Sequence, residues 1–292
     1  MTATNNSTVS RVGVVGCGLM GSGIAEVCAR AGLDVLVGEV GPDAVAAGRA
    51  RVTASLERGV RSGKLTEQDR DAAVARLRFT HDLGDFADRE LVVEAVAERR
   101  EVKTATFAAL DKYLDSPDAI IATNTSSLPV IDLAVTTGRA THVVGMHFFN
   151  PVPVQRLVEV IPTQLSSAAT VERASAFASD TLGKTVVRAP DRSGFVVNAL
   201  LVPYLLSAIR MLESGVASAE DIDNGMVLGC AHPMGPLRLL DLIGLDTAQS
   251  VAESLYEEFK EPLYAAPPLL RRMVAAGTLG RKTGRGFYPY GT

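Results

Sequence analysis

The chain has 292 residues, a length that predicts about two domains, each able to bury its own core. Lysine and arginine total 29 against 33 aspartate and glutamate residues, so the formal net charge is -4, and apolar residues make up 47%. With no block of basic residues, 5% aromatic residues and no Trp, the composition argues against a nucleic-acid-binding or anionic-membrane-binding protein.

The cysteines and the chain start bear on the cellular compartment. Cys17, Cys28 and Cys230 are odd in number and lack the spacing of metal ligands, which favours a reducing compartment and predicts no metal site. The polar stretch Met1 to Ser10 is unlike a signal peptide, and we expect a frayed end there. No run reaches the ~18 apolar residues of a membrane span. These features predict a cytoplasmic protein.

The first predicted unit is a strand, a turn and a helix. Val12 to Val15 is an apolar run, and the small and apolar residues from Gly21 to Ala31 suit a packed helix. Gly32 ends that helix, and Leu33 to Val37 forms a second apolar run. We therefore expect two parallel strands joined by a right-handed helical crossover.

More apolar runs follow, and helical patterns such as Lys103 to Leu114 and Thr170 to Leu182 separate several of them. The runs are Leu91 to Val96, Ala119 to Thr123, Val143 to Phe149, Leu157 to Ile161 and Thr185 to Arg188. Strands that alternate with helices predict a Rossmann-type, doubly wound and mostly parallel α/β sheet.

The pattern changes after Pro190. Phe195 to Leu212 is a long helical run, no strand pattern follows it, and Ser218 with Asp221 resembles a helix N-cap pair. The sequence predicts an N-terminal α/β nucleotide-binding domain over residues 1–190 and an all-helical domain over residues 191–292.

A glycine motif lies between the first strand and the first helix. Gly16, Gly18 and Gly21 form Gly-x-Gly-x-x-Gly, in which the first glycine permits a tight turn, the second lets a pyrophosphate approach, and the third allows close packing. A glycine turn chosen only for packing is the alternative. Glu39, 18 residues after the last glycine, favours the dinucleotide site.

The same carboxylate bears on the choice of cofactor. Glu39 can accept hydrogen bonds from ribose hydroxyls but would repel a 2′-phosphate, so NAD is expected rather than NADP. Gly38 leaves space beside it, and Arg49 and Arg51 are near in sequence, so NADP stays open as a lesser alternative.

One histidine stands at the end of an apolar strand. His147 is expected at the carboxyl edge of the sheet, where α/β folds bind ligands. Glu159 lies in the apolar run that follows and needs a partner if it is buried. An imidazole held by this carboxylate is a plausible general base. The alternatives are a structural core histidine and a surface pair between Glu159 and Arg156. For His81, His142 and His232 we expect solvated or capping roles.

Several sequence blocks resemble the L-3-hydroxyacyl-CoA dehydrogenase family, in particular its short 3-hydroxybutyryl-CoA dehydrogenases. The blocks are Gly-Cys-Gly-Leu-Met-Gly-Ser-Gly-Ile-Ala from Gly16, Val-Val-Glu-Ala-Val from Val92, Asn-Thr-Ser-Ser-Leu from Asn124, His-Phe-Phe-Asn-Pro-Val-Pro-Val from His147, Arg-Ser-Gly-Phe-Val-Val-Asn up to Asn198, Pro-Met-Gly-Pro-Leu from Pro233 and Gly-Arg-Gly-Phe-Tyr near the end. Together they cover nearly the whole chain.

The resemblance implies an NAD-dependent oxidation of a short-chain 3-hydroxyacyl-CoA, with His147 as general base and Glu159 orienting its ring. It places Ser126 and Asn198 near the reacting oxygen and the thioester carbonyl. It implies contacts with the cofactor or nearby substrate at Leu19, Met20, Glu98, Lys103, Asn124, Asn150 and Lys282. The residues alone favour capping roles for Ser126 and Asn198 and a solvated tail for Lys282.

A predicted helix carries a polar and basic face. Ser55, Arg58, Arg61 and Lys64 recur at three-residue steps along it, a spacing that favours a solvated charge stripe, with a clamp for phosphate as the alternative. The resemblance implies coenzyme A contacts at Ser55 and Lys64.

The chain departs from many relatives at two positions. Ala199 stands where many carry Arg, which puts a substrate or interface contact in doubt, and Glu39 stands where many carry Asp.

Two other functions remain open at this point: a sugar-acid 3-dehydrogenase on the same scaffold, and a dinucleotide sensor without catalysis. The helical domain contains long apolar stretches, Phe195 to Leu206 and Leu237 to Leu245, which predict a homodimer through that domain, as the resemblance also implies.

Overall fold

The computed structural model of the protein describes residues 9–291. The chain divides into two compact units, one ending at Asp191 and the other beginning at Arg192. The predicted frayed end from Met1 lies outside the described residues except for Val9 and Ser10. Within residues 9–291, no helix is both long and apolar enough to cross a bilayer.

The first unit is built on one eight-stranded sheet with the order β3-β2-β1-β4-β5-β6-β7-β8. Neighbouring strands are parallel except β6 and β7, which are antiparallel. The strands are β1 Arg11–Val15, β2 Asp34–Gly38, β3 Leu77–Thr80, β4 Leu91–Glu94, β5 Ile120–Thr123, β6 Val143–Phe148, β7 Leu157–Pro162 and β8 Thr185–Arg188. The prediction of a mostly parallel, doubly wound sheet is confirmed.

The central strands are visible in the sequence because they are buried on both faces. Every residue of β4, β5 and β6 is buried, as continuous apolar runs in a parallel sheet require. The edge strand β3 differs from the predicted strands, because it has only four residues, of which only Leu77 is buried, and this stretch is too short for a clear apolar run.

Helices cover both faces of this sheet, as the α/β pattern predicts. They are α1 Leu19–Arg30, α2 Pro42–Arg61, α3 Glu67–Ala75, α4 Arg100–Tyr113, α5 Val130–Ala134 and α6 Ala168–Ala176. The helix expected over Thr170 to Leu182 passes from α6 into a π-helical turn at Phe177–Thr181. The carboxylate of Asp191 accepts hydrogen bonds from the amides of Val130 and Ile131 and so stabilises the start of α5.

The second unit is helical, as predicted. Its helices are α7 Val197–Glu213, α8 Ala219–Cys230, α9 Pro236–Ile243, α10 Leu245–Phe259 and α11 Pro268–Ala275. The hydroxyl of Ser218 accepts a hydrogen bond from the Asp221 amide at 3.1 Å, which is the expected N-cap of α8. Leu206, Leu237 and Leu255 belong to the core of this unit.

A buried carboxylate anchors the C-terminal segment of the second unit. Asp241, in α9, is 1% exposed. Its carboxylate accepts hydrogen bonds from the amides of Phe287 at 2.9 Å and Tyr288 at 3.0 Å, and from the hydroxyl of Tyr290 at 3.0 Å. Because a carboxylate only accepts, it can receive all three donors at once.

Replacing Asp241 by Asn is therefore expected to lower the free energy of unfolding by about 3 kcal/mol. The Asn side chain has an NH2 group in place of one accepting oxygen, and this group would face at least one of the three donors. Asp246→Asn is the matched control: it breaks a half-exposed ion pair with Lys282, which should cost at most about 1 kcal/mol. Urea titration followed by circular dichroism measures both. Equal losses for the two variants would contradict the anchoring role.

Candidate active site

The candidate site lies at the carboxyl edge of the sheet. The glycine turn leaves the end of β1, and the neighbours of β1 are β2 on one side and β4 on the other. The chain continues through β2 and β3 on one side of β1 and then through β4 and β5 on the other side. In α/β folds, this reversal of strand order leaves a crevice at the carboxyl ends of the strands. The predicted site residues that follow β2, β4, β5 and β6 meet at this same edge.

The glycine turn fits a bound pyrophosphate. Gly16 has φ +89, a left-handed conformation that favours glycine, and a Cβ on Gly21 would lie 1.8 Å from the Gly16 carbonyl oxygen. A Cβ on Gly18 would have no neighbour within 4 Å, so the backbone there is open to a ligand. In the described structure no side chain caps α1 and its first turn has no acidic residue. Its N-terminal amides are available to an anion.

Glu39 follows β2 and is half-buried. Its carboxylate accepts a hydrogen bond of 2.6 Å from the Cys17 amide and so ties the end of β2 to the glycine turn. Arg51 donates to the Cys17 carbonyl oxygen, and Arg49 stacks on the ring of Phe79 at 4.4 Å. Both arginines considered as partners for a 2′-phosphate are therefore engaged with the protein.

Burial raises the pKa of the Cys17 thiol to about 12, and the nearby Glu39 carboxylate adds to that effect. The thiol is therefore in its neutral form at physiological pH.

His147 and Glu159 are direct neighbours on β6 and β7. The two residues are paired across the antiparallel strands, and Nδ1 of His147 lies 2.7 Å from Oε2 of Glu159. Their exposed fractions are 4% and 0%. Because a carboxylate only accepts, Nδ1 carries a proton, which leaves Nε2 of the neutral imidazole as an acceptor. The pair has the arrangement that a general base requires.

Ser126 contacts the other ring nitrogen. It follows β5, and its Oγ lies 2.9 Å from Nε2 of His147. Since Nε2 is the acceptor, the hydroxyl donates this hydrogen bond. The ring of Phe149 packs edge-on against the imidazole, with 4.6 Å between centroids. The structure thus brings together Ser126, His147 and Glu159.

Glu98 holds the turn that contains Ser126. Its Oε1 accepts hydrogen bonds from the hydroxyl of Thr125 at 2.5 Å and from the amides of Ser126 at 3.0 Å and Ser127 at 3.1 Å. Burial tends to raise the pKa of Glu98, but the ammonium of Lys103 and these donors outweigh it and hold the pKa below its ordinary value. Glu98 is therefore ionised at neutral pH.

Lys103 is fully buried between two carboxylates. Its Nζ lies 2.7 Å from Oε1 of Glu94 and 3.1 Å from Oε2 of Glu98. Glu94, also fully buried, accepts further hydrogen bonds from the Val96 amide and the Thr123 hydroxyl, each at 2.7 Å. The ammonium of Lys103, suggested by resemblance as a cofactor contact, thus has two protein partners and no exposed surface.

Other predicted cofactor contacts have different surroundings. Leu19 is 66% exposed at the start of α1, whereas Met20 is half-buried against the core. Asn124 is buried, and its Oδ1 accepts a hydrogen bond of 2.8 Å from the Phe148 amide, which ties the ends of β5 and β6 together. Asn150 is exposed in the loop after β6.

The predicted coenzyme A face is only partly helical. Helix α2 ends at Arg61, and Gly63 with φ +70 leads away from it, so the prediction that Lys64 shares a helical face with Ser55 is wrong. Ser55 is half-buried within α2, and Lys64 is exposed beyond its end.

Two predicted site residues belong to the second unit. Asn198 lies half-buried in the first turn of α7, whose N-cap residue is Val196. Lys282 is 47% exposed, and its Nζ lies 2.6 Å from both carboxylate oxygens of Asp246.

The remaining histidines have the surroundings of surface residues. His81 is exposed, His142 lies 3.7 Å from a carboxylate oxygen of Asp118, and Nδ1 of His232 lies 3.2 Å from the hydroxyl of Tyr204.

Two family models match consecutive parts of the chain. The one described as 3-hydroxyacyl-CoA dehydrogenase, NAD binding domain, matches residues 11–192, and the one described as 3-hydroxyacyl-CoA dehydrogenase, C-terminal domain, matches residues 194–290. The chain belongs to the 3-hydroxyacyl-CoA dehydrogenase family. The resemblance inferred from the sequence blocks is confirmed.

Individual relatives of this 3-hydroxyacyl-CoA dehydrogenase family member are similar over almost the whole chain. The 3-hydroxybutyryl-CoA dehydrogenase of Mycobacterium tuberculosis is 57% identical over 285 residues, which cover 98% of this chain and 100% of the relative. A crystal structure of M. tuberculosis FadB2 matches with a TM-score of 0.97 and 57% identity, over 98% of this chain and 100% of that one. A crystal structure of (S)-3-hydroxybutyryl-CoA dehydrogenase from Ralstonia eutropha matches with a TM-score of 0.91 and 44% identity, over the same shares.

Proposed function

We propose that this family member is a 3-hydroxybutyryl-CoA dehydrogenase, which interconverts a short-chain 3-hydroxyacyl-CoA and its 3-keto form with NAD as cofactor. The observation that carries the proposal is the His147 imidazole: Glu159 holds Nδ1, and Nε2 is left as an acceptor at the sheet edge that also carries the glycine turn. Family membership and the name of the 57% identical relative support the choice of substrate.

The chemistry divides between cofactor and protein. A nicotinamide cofactor bound at the glycine turn would supply the acceptor for the hydride that leaves C3 of the substrate. Nε2 of His147 takes the proton of the 3-hydroxyl, and the buried Glu159 carboxylate stabilises the imidazolium that forms. The Ser126 hydroxyl, at 2.9 Å from Nε2, is placed to hydrogen-bond the reacting oxygen. In the reductive direction His147 returns the proton to the 3-keto oxygen.

The direct test is reduction of acetoacetyl-CoA by NADH, followed as loss of NADH absorbance. We expect turnover, and a folded sample without turnover with either nicotinamide cofactor would contradict the proposal. Tight NADH binding without turnover would instead favour a dinucleotide sensor. Oxidation of a sugar acid by a protein that does not bind coenzyme A would favour the alternative function of a sugar-acid 3-dehydrogenase.

The preference for NAD rests on Glu39. Its carboxylate is half-buried beside the glycine turn, where Arg51 donates to the Cys17 carbonyl oxygen, and Arg49 stacks on the ring of Phe79. A 2′-phosphate would be repelled by this carboxylate, whereas ribose hydroxyls could donate hydrogen bonds to it. Fluorescence titration should therefore show tighter binding of NADH than of NADPH, and equal affinities would contradict this role of Glu39.

Two alanine substitutions in the glycine turn should separate binding from folding. Gly18→Ala adds a Cβ in open space, so the fold should be unchanged while NADH binding weakens at least about tenfold. Gly21→Ala forces a Cβ against the Gly16 carbonyl oxygen, so the free energy of unfolding should fall by about 2 kcal/mol or more. Urea titration and NADH fluorescence measure the two effects. Unchanged NADH affinity in Gly18→Ala would count against the pyrophosphate site.

The other proposed roles follow from the family resemblance. They are substrate contacts at Ser55, Lys64 and Asn198, and nicotinamide cofactor contacts at Leu19, Met20, Asn124, Asn150 and Lys282. Residues 1–190 would form the cofactor-binding domain and residues 191–292 a substrate-binding and dimerisation domain.

A homodimer is proposed through the second unit. Leu200 on α7 and Leu228 on α8 are 75% and 83% exposed, and burial of these side chains in an interface would remove apolar surface from water. Light scattering should give twice the chain mass of 30.8 kDa, whereas the single-chain mass would contradict the dimer.

A further inference from the structure

An ionic cluster lies behind the Ser126 turn. It consists of Glu94 at the end of β4, Lys103 in α4 and Glu98 in the segment between them. Glu94 and Lys103 have no exposed side-chain surface, and Glu98 retains 32%. Removing charged groups from water costs free energy, and close ion-pair and hydrogen-bond partners must offset that desolvation penalty. Two carboxylates and one ammonium give the cluster a net charge of one negative unit. Glu98 is the member of the cluster that binds the Ser126 turn.

The Glu94 end of the cluster is fixed to the sheet. One carboxylate oxygen of Glu94 binds the Lys103 ammonium and the Val96 amide, and the other binds the Thr123 hydroxyl at the end of β5. Every donor lies at 2.7 Å. Lys103 therefore has a fixed position relative to β4 and β5, and it holds Oε2 of Glu98 at 3.1 Å.

The Glu98 end of the cluster is fixed to the Ser126 turn. A single oxygen, Oε1, receives the amides of Ser126 and Ser127 and the hydroxyls of Thr125 and Ser127. Four donors on one oxygen suit an ionised carboxylate, because in an amide or a neutral acid the other terminal atom would be a donor that faces the Lys103 ammonium. The Glu98 carboxylate thus binds the turn through these hydrogen bonds. The hydroxyl oxygen of Ser126, in the same turn, lies 2.9 Å from Nε2 of His147.

We propose that Glu98 is a positioning residue for proton transfer: it fixes the Ser126 hydroxyl at Nε2 of His147, and the buried Lys103 and Glu94 hold Glu98 in place. The inference deepens the proposed dehydrogenase function and rests on it. It differs from the direct cofactor contacts that resemblance suggests for Glu98 and Lys103, because here both act through the turn. The two possibilities predict different kinetics.

A double-mutant cycle distinguishes them. Glu98→Gln and Ser126→Ala should each lower kcat for acetoacetyl-CoA reduction about 10-fold, with unchanged NADH affinity. If Glu98 acts through Ser126, the double variant should be no slower than the slower single variant. Glu101→Gln, which removes the same charge from an exposed position in α4, is the matched control and should retain the parent kcat. Multiplied losses, or an NADH affinity that falls in Glu98→Gln, would overturn the proposal.

Nitrogen-15 NMR of the ligand-free protein provides a readout independent of turnover. The Nε2 signal of His147, assigned by its loss in His147→Gln, should move in Ser126→Ala, and Glu98→Gln should reproduce that movement while Glu101→Gln does not. An unmoved signal in Glu98→Gln would refute the positioning role even if the wild type reduces acetoacetyl-CoA. Conversely, a moved signal in a protein without turnover would refute the proposed function and leave the positioning role standing.

Discussion

His147→Gln should lower kcat for acetoacetyl-CoA reduction by at least about 10²-fold, the usual scale for loss of a general acid or base. The amide side chain fills a similar space but cannot carry a proton to the 3-keto oxygen. Because His147 lies on β6 and the glycine turn follows β1, NADH affinity should be unchanged. Stopped-flow turnover and fluorescence titration measure the two quantities.

His81→Gln is the matched control for this variant. His81 is exposed, so the same chemical change should leave both kcat and NADH affinity unaffected. A His147→Gln protein that is folded, binds NADH and still reduces acetoacetyl-CoA at the parent rate would remove the central residue from the proposed chemistry.

Glu159→Gln should have an effect of similar size, roughly 10²-fold on kcat. The variant removes the negative charge that stabilises the imidazolium. Its amide can also donate to Nδ1, which would move the ring proton to Nε2 and leave the wrong nitrogen as acceptor. KM for NADH should change little, since the effect acts on the imidazole.

The pairing of the two residues gives this prediction a sharper form. A double variant, His147→Gln with Glu159→Gln, should be about as slow as His147→Gln alone if Glu159 serves the reaction through the ring that it holds. Glu172→Gln, at a position 66% exposed in α6, is the control and should behave as the parent. A Glu159→Gln protein with parent kcat would show that the carboxylate serves the fold and not the reaction.

Much of the fold is readable from the sequence because the sheet is buried on both faces. The apolar runs of β1, β4, β5 and β6 record that burial directly. The sequence does not show the direction of a strand, since a strand buried on both faces is a continuous apolar run whether it is parallel or antiparallel to its neighbours. The reversal at β7, which sets His147 opposite Glu159, could not be derived from the apolar pattern.

The site was predictable where a polar side chain interrupts an apolar run. Glu159 was singled out because a buried carboxylate needs a partner. Glu94 gives the same signal within the run Leu91 to Val96, although it is not among the residues predicted for the site. The hydroxyls of Thr125 and Ser127 give no such signal, because serine and threonine are common in turns for many reasons. Their convergence on Glu98 depends on the three-dimensional path of the chain.

The cross-strand register of β6 and β7 limits how this protein tolerates insertions. Side chains alternate between the two faces of a strand. One extra residue in β6 or β7, between the connecting loop and the His147–Glu159 pair, would therefore turn His147 or Glu159 to the opposite face of the sheet. The loop of residues 149–156 is under no such constraint, because the ladder on either side of it sets the alignment. Insertions at the exposed end of that loop, from Val154 to Arg156 and away from Phe149 and the buried Val152, should therefore retain activity far more often than insertions inside the two flanking strands.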